Sequence, residues 1–176
     1  MRVVFGDLWN ELGKADLLLV TGNGAIRMDG AVVMGRGAAA YAKERFPGVD
    51  LEFGRLIREQ GEFMPQLRCF VFGFVLAAPT QYHPVTRLGL FQVKYLWSEK
   101  ADPDLIMDSI VALRSFLSFN FFRRVVMNYP GIGNGGLSIK DVAPLVDILP
   151  ENVLLYRRKT EGGDIGGRRE LAFAQG

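Results

Sequence analysis

Two glycine-rich stretches carry the clearest chemistry in this sequence. The first, Thr21-Gly22-Asn23-Gly24 through Met34-Gly35-Arg36-Gly37, lies between the apolar run Leu17-Leu18-Leu19-Val20 and the helix-forming run Ala38-Ala39-Ala40-Tyr41-Ala42-Lys43. A strand that opens into such a loop and then starts a helix presents backbone amides to an anion. Glycine permits positive φ and close approach of the backbone to a ligand. The helix start adds unpaired N–H groups and the positive end of its dipole. Arg36 stands beside that start, and the main-chain amides of Gly35 to Ala38 form an anion nest. Asn23 either supplies a turn between two glycines or, as a catalytic residue, aims its amide at a sugar hydroxyl or a water. The second stretch, Tyr129-Pro130-Gly131-Ile132-Gly133-Asn134-Gly135-Gly136-Leu137, follows Val125-Val126-Met127-Asn128. Its glycines exceed the needs of a turn, and Asn134 is placed to bond a phosphate or a sugar.

The elements that position these loops read as alternating strands and helices. Arg2 to Phe5 reads as a strand, Leu8 to Leu12 as a short turn or helix, and Leu17 to Val20 as a strand covered on both faces. A helix is expected from Ala38 to Phe46, stopped by Pro47-Gly48, and another from Gly48 to Gly61. Cys69 to Val75 and Leu90 to Val93 read as strands, with Pro79 to Pro84 irregular between them. Asp102 caps a helix with Pro103 in its first turn and Ile106, Ile110, Leu113 and Leu117 as its buried stripe. A strand at 124–128 precedes the second loop. Pro144 places the start of the following helix near Asp141. Asn152 to Arg157 is the last strand. This alternation predicts a three-layer α/β/α domain with a mostly parallel central sheet. Both loops then leave strands at the carboxyl rim, where such sheets bind ligands. Two cradles on one rim predict a ligand with more than one phosphate, or a diphosphate flanked by sugars.

Composition narrows the classes. At 176 residues, 49% hydrophobic and 23% charged, the chain reads as one ordinary globular domain. We expect that domain over residues 1–158 and a flexible tail, rich in glycine and charge, over 159–176. Twenty-one Lys and Arg against 19 Asp and Glu give a net charge of +2, too balanced to argue for nucleic acid alone. The clusters Arg157-Arg158-Lys159 and Arg168-Arg169 read as solvated chain ends. Cys69 is the single cysteine and His83 the single histidine, a poor basis for a metal site or Cys–His catalysis. No secretory signal and no apolar run of ~20 residues is visible, so a cytoplasmic protein without membrane contact is expected.

Three segments in order resemble the macrodomain family, which binds ADP-ribose, and the resemblance covers most of residues 1–157. They are Gly6-Asp7-Leu8; Val33 to Ala39 followed by Lys43 and Arg45-Phe46-Pro47; and Tyr129 to Leu137. The resemblance implies that Asp7 takes the adenine amino group and that the two loops hold the diphosphate. The Met-Gly-basic-Gly spelling at Met34 to Gly37 is similar to the branch of terminal ADP-ribose glycohydrolases and of antitoxins that reverse ADP-ribosylation of DNA. That branch implies a lysine nucleophile at the end of a middle strand, a place that Lys94 matches. It also implies ADP-ribose or ADP-ribosylated DNA or protein as substrate, an ADP-ribosyltransferase toxin as cognate partner, a monomer, and no metal or other cofactor. Gly135 or Gly136 stands where the glycohydrolases carry an acid, and the segment from Gly24 to Val32 is longer than usual, bringing Arg27 and Asp29 toward the expected distal ribose. Tyr156 either stacks on adenine or packs in the core, and Trp9 and Trp97 read as packing residues. The rival readings are a non-catalytic ADP-ribose reader, an ADP-ribose 1″-phosphate phosphatase, and an unrelated nucleotide-binding domain. The last lacks the G-x-G-x-x-G spacing in the first loop.

Overall fold

A computed structural model describes residues 1–159, so the tail expected to be flexible lies outside the described residues from residue 160, as does the Arg168-Arg169 cluster. In chain order the elements are β1 (Arg2–Phe5), a 3-10 turn (Leu8–Glu11), β2 (Leu17–Asn23), α1 (Gly37–Arg45), α2 (Val49–Gln60), β3 (Glu62–Met64), β4 (Cys69–Val71), β5 (Phe74–Leu76), β6 (Arg87–Lys94), α3 (Pro103–Phe119), β7 (Val125–Asn128), α4 (Ile139–Val146) and β8 (Val153–Arg157). Six strands form one sheet in the order β1-β8-β7-β2-β6-β5, parallel throughout except for β5 at its edge. The expected three-layer, mostly parallel architecture is the observed one.

Side-chain alternation along the strands builds the layers. Leu18 and Val20 of β2 join Leu88, Leu90, Val126 and Leu154 in a core with α1 and α2, whose Ala39, Ala42, Val49, Phe53 and Ile57 are buried there. Leu17 and Leu19 point to the other face and pack with Ile106, Ile110 and Leu113 of α3 and Val142 and Val146 of α4. A strand with helices on both faces must be apolar at every position, which is why its sequence is a continuous run. Asp102 caps α3 as expected, its Oδ1 accepting from Asp104 N at 2.8 Å and Leu105 N at 3.1 Å.

The segments read differently are instructive. Cys69 to Val75 is two strands, because Gly73 turns the chain with φ +72°. The first half pairs with β3, a strand not anticipated, and the second with β6. The buried amide of Gln92 holds the break, with Oε1 accepting from Phe72 N at 2.9 Å and Nε2 donating to Phe70 O at 2.8 Å. Likewise α4 starts at Ile139, not near Asp141. Ser138 Oγ accepts from Asp141 N at 3.2 Å while Asp141 Oδ2 accepts from Ser138 N at 3.0 Å, a reciprocal cap. A proline inside a helix costs about 3 kcal/mol. Such a cap contributes about 1 kcal/mol, and each buried apolar side chain roughly 1.5–3 kcal/mol. Burial of Val142 and Val146 therefore outweighs the bond lost at Pro144.

The long segment after β2 folds away from the sheet rim as a tight hairpin. Ile26 bridges Val32, and Arg27 N donates to Ala31 O at 2.8 Å. It docks on α2, where Val32 N donates to Asp50 O at 3.0 Å. The approach is so close that a Cβ on Gly54 would stand 1.9 Å from Gly30 O.

One ion pair ties the sheet to the turn after β1. Glu11 accepts from Arg124 Nε at 2.6 Å through Oε2 and from Arg124 Nη2 at 2.9 Å through Oε1. The Arg124 hydrogen bond, helped by one from Tyr156 and opposed by burial, holds the Glu11 carboxyl below the usual carboxylate range.

Two outcomes follow. Gly54→Ala, which in a free helix would gain up to ~1 kcal/mol, is expected to destabilise this protein by about 1–3 kcal/mol through overpacking. A raised denaturant midpoint would mean that the hairpin does not rest on α2. A depressed carboxyl stabilises fully above its unfolded pKa, and that contribution is lost as pH falls through the folded value. Thermal unfolding of the protein and of Glu11→Gln should therefore differ most near neutral pH and converge in acid.

Candidate functional site

The cleft opens where β2 and β7 part. Their parallel pairing ends at Leu19 and Met127, after which side chains take over from the backbone ladder. Asn128 Oδ1 accepts from Thr21 N at 2.9 Å, and Asn128 Nδ2 donates to Thr21 Oγ1 at 2.7 Å. Beyond that bridge one chain leads to α1 on one face of the sheet and the other to α4 on the opposite face. The crevice between diverging loops is the usual ligand position in open α/β sheets. Here it is a cavity of about 690 Å³.

Its walls are the two glycine loops. Arg36, in extended backbone, precedes α1, and Gly37 opens that helix with φ +58°. A Cβ on Gly37 would lie 3.3 Å from Asn134 Nδ2, which shows how closely the loops face each other. In the second loop Gly131 has φ +77°, and a Cβ there would strike Ile106 Cδ1 at 2.7 Å. That glycine is required by the core beneath the loop as well as by the turn. The start of α1, Gly37 to Ala39, and the turn at Gly133–Gly135 both line the cavity, so a helix start and a glycine turn meet at one site.

Lys94 ends β6 on the cavity wall, at the point where the β2–β6 register shifts between Gly22 and Asn23. Such irregularities re-aim side chains. Its Nζ donates to Asn134 O at 2.8 Å, so the amine spans from the sheet to the second loop. Burial, and then the charge of Arg36, hold the Lys94 amine below the ordinary lysine pKa. Among the described residues, Arg36, Lys94, Arg157 and Arg158 line the cavity against one carboxylate, Asp7. That balance suits an anionic ligand.

At the other end stand Asp7, Leu8 and Tyr156. Asp7 is exposed and caps the 3-10 turn, its Oδ1 accepting from Trp9 N at 3.0 Å. Tyr156 is buried with its ring near Gly6, 3.7 Å from where a Cβ would stand. The strands bearing Tyr156 and Lys94 are three places apart in the sheet, about 14 Å at the usual spacing of ~4.8 Å.

Of the residues singled out in the sequence, Asp7, Leu8, Gly22, Asn23, Met34, Gly35, Arg36, Gly37, Lys94, Gly131, Ile132, Gly133, Asn134, Gly135 and Tyr156 line this one cavity. Gly24, Pro130 and Gly136 do not. Gly24 is locked between Tyr95 O and Phe70 N, with no room for a side chain against Phe70 O, and Pro130 is buried. A Cβ on Gly136 would meet the Lys100 stem. Arg27 and Asp29 pair with each other at 3.2 Å on the exposed hairpin, away from the cavity. Asn23 lines the cavity, but its amide is engaged at the hairpin's neck: Nδ2 donates to Val33 O at 2.9 Å and Oδ1 accepts from Ala25 N at 3.0 Å. Trp9 and Trp97, read as packing residues, both line the cavity, as do Tyr41, Thr21, Asn128 and Arg157. The Trp9 and Tyr41 rings lie 4.7 Å apart and form one aromatic edge of it. The Thr21–Asn128 bridge had a signal in the sequence, a polar residue at the end of each apolar strand run. The tryptophans had none beyond their chain neighbours.

No protein-family model matches the sequence, and no curated protein matches it. Solved structures do. The macrodomain of Thermus aquaticus DarG is similar with a TM-score of 0.62 and 19% identity, over 90% of this chain and 97% of that one. The macrodomain of Mycobacterium tuberculosis DarG gives 0.62 and 20%, over 88% and 97%. Thermosipho africanus DarTG, solved in complex with ADP-ribose, gives 0.66 and 20%, and here the match spans 94% of this chain but 42% of that longer one. The strand order, the helices on both faces and the agreement with two solved macrodomains along nearly their whole length establish that this chain has the macrodomain fold.

Proposed function

We propose that this protein binds ADP-ribose in the cleft and releases it from a modified macromolecule, DNA or protein, with Lys94 as nucleophile. The carrying observation is the Lys94 amine, partly desolvated and held 2.8 Å from Asn134 O in the cavity walled by both glycine loops. The DarTG structure, similar in fold, contains ADP-ribose. In this reading the first-turn amides of α1 and the second loop hold the diphosphate, while Asp7 and Tyr156 receive the adenine. Met34, Gly35, Arg36 and Gly37 form one side of the cradle, and Gly131 to Gly135 the other. Asn23 acts by holding the neck of the hairpin, which fixes the wall at Val33. An ADP-ribosyltransferase is the class of enzyme that would supply the substrate.

The chemistry follows from the geometry. Breaking the bond between the distal ribose C1 and the macromolecule builds oxocarbenium-like positive charge on that sugar, which the nearby diphosphate stabilises. The neutral Lys94 amine attacks C1, a C–N bond replaces the bond to the leaving atom, and the amine's proton passes to solvent while the leaving atom takes one. Water then cleaves the adduct and restores the amine. Only the uncharged amine can attack, so its lowered pKa serves the step.

A binding-only reader is the second reading, favoured by one observation. Among the described residues lining the cavity, Asp7 is the sole carboxylate, and it belongs to the end opposite Lys94.

Incubation with ADP-ribosylated DNA and protein separates the two. The protein should release ADP-ribose, and Lys94→Ala should lower the rate by roughly a hundredfold or more, the scale of losing a placed catalytic group. Equal release by both would end the lysine mechanism. Tight calorimetric binding of ADP-ribose with no release from either substrate would establish the reader. The single-turnover rate should rise with pH through a midpoint below that of ordinary lysine. Arg36→Ala should move this midpoint upward, because it removes a neighbouring positive charge.

A further inference from the structure

Two residues that do not line the cleft hold one of its walls. The Tyr156 hydroxyl donates to Glu11 Oε1. Glu11 is the last residue of the 3-10 turn that Asp7 caps, and its side chain is only 6% exposed. Its two oxygens also take the paired bonds from Arg124, the residue before β7. Neither Glu11 nor Arg124 lines the cavity, whereas Tyr156, Asp7 and Trp9 do. A single carboxylate thus joins the turn after β1, the end of β8 and the start of β7.

Stability alone explains this arrangement poorly. The desolvation cost of a buried carboxylate consumes most of what its ion pair returns, and apolar residues of similar size would serve as well. What the pair supplies is geometry. Packing holds the body of the Tyr156 ring at the strand end beside the cavity, and the bond from its hydroxyl fixes the far end. Here the tether is a bidentate guanidinium–carboxylate pair, whose planar fork fixes direction as well as distance.

We propose that Glu11 and Arg124 are positioning residues that fix the Tyr156 ring as the surface on which the adenine of the ligand packs. They thereby set affinity for the base without touching it. The proposal rests on the ADP-ribose reading given above. It makes the base end of the cleft rigid before the ligand arrives, which lowers the ordering cost of binding.

The test has two arms. With fluorotyrosine incorporated, the Tyr156 resonance is assigned by its loss in Tyr156→Phe, and its shift and linewidth are compared in the protein, Glu11→Gln and Arg124→Met. Calorimetry on the same set, with ADP-ribose and, by competition, with inorganic pyrophosphate, reads the base end and the diphosphate cradle separately. The expected result is a displaced or broadened Tyr156 resonance in both variants. ADP-ribose affinity should fall about tenfold, the scale of one hydrogen bond's net worth, with pyrophosphate affinity unchanged. Tyr156→Phe keeps the ring and the ion pair but cuts the tether, and should lose the same factor even where Glu11→Gln fails to fold. The double variant Glu11→Gln/Tyr156→Phe should lose no more than either single change. An unmoved resonance, undiminished ADP-ribose affinity, or equal losses for both ligands would overturn the positioning role while leaving the ADP-ribose reading intact. Absence of ADP-ribose binding by the unaltered protein would overturn the reading and the role together.

Discussion

Everything at the rim depends on the place where β2 loses β7. Up to Leu19 and Met127 the two strands share a backbone ladder. One residue later on β7 and two later on β2, the ladder is replaced by the amide of Asn128 bonded to both the N–H and the hydroxyl of Thr21. That substitution lets the strands end together while their chains depart toward opposite faces. Without it the exposed backbone groups at the splayed ends would compete for whatever enters. With it Thr21 N has a partner at the floor of the cleft, between the two loops. Buried backbone groups must find partners, and here a side-chain amide supplies one where the ladder stops.

The cleft is polarised from end to end. Aromatic rings gather around Asp7 at one end, the glycine loops form the middle, and an amine with depressed basicity stands at the other. Positive charge dominates the lining, yet it comes from three separate segments of chain: Arg36 before α1, Lys94 on β6, and Arg157-Arg158 at the end of β8. Two of them, Arg36 and Lys94, are near enough that the guanidinium charge lowers the basicity of the amine. Arg157 is further steadied over the Phe5 ring, 4.7 Å from its centroid. The near-neutral net charge of the chain gives no hint of this local field.

How much of this is visible in the sequence differs by residue, for physical reasons. The parallel sheet is legible because burial on both faces forces a continuous apolar run at Leu17 to Val20, and α3 is legible because Asp102 and Pro103 are local signals. The two loops and Lys94 share the rim because all follow parallel strands. The contacts that escape sequence reading are those between segments distant along the chain. Cys69 to Val75 is two strands, and although Gly73 is a local sign of the break, the Gln92 amide that holds it lies twenty residues on. The cap at Ser138 and burial of Val142 override a proline that, taken by itself, argues for a later start. Asn23 looks free to address a ligand until Val33 and Ala25 are brought to its amide. Trp9 reaches the cleft only because the 3-10 turn after β1 lays it beside Tyr41.

The close approach of the hairpin at Gly30 to α2 at Gly54 bears on how this molecule can vary. A side chain at position 54 is compatible only with a chain in which the hairpin has moved or shrunk, so loop length and the identity of residue 54 cannot drift independently. The hairpin is thereby inherited as a unit with one helical glycine twenty-odd residues away. Met28, at the tip of the hairpin, is under no such restraint: its side chain is fully exposed and can change without disturbing the contact at Gly30.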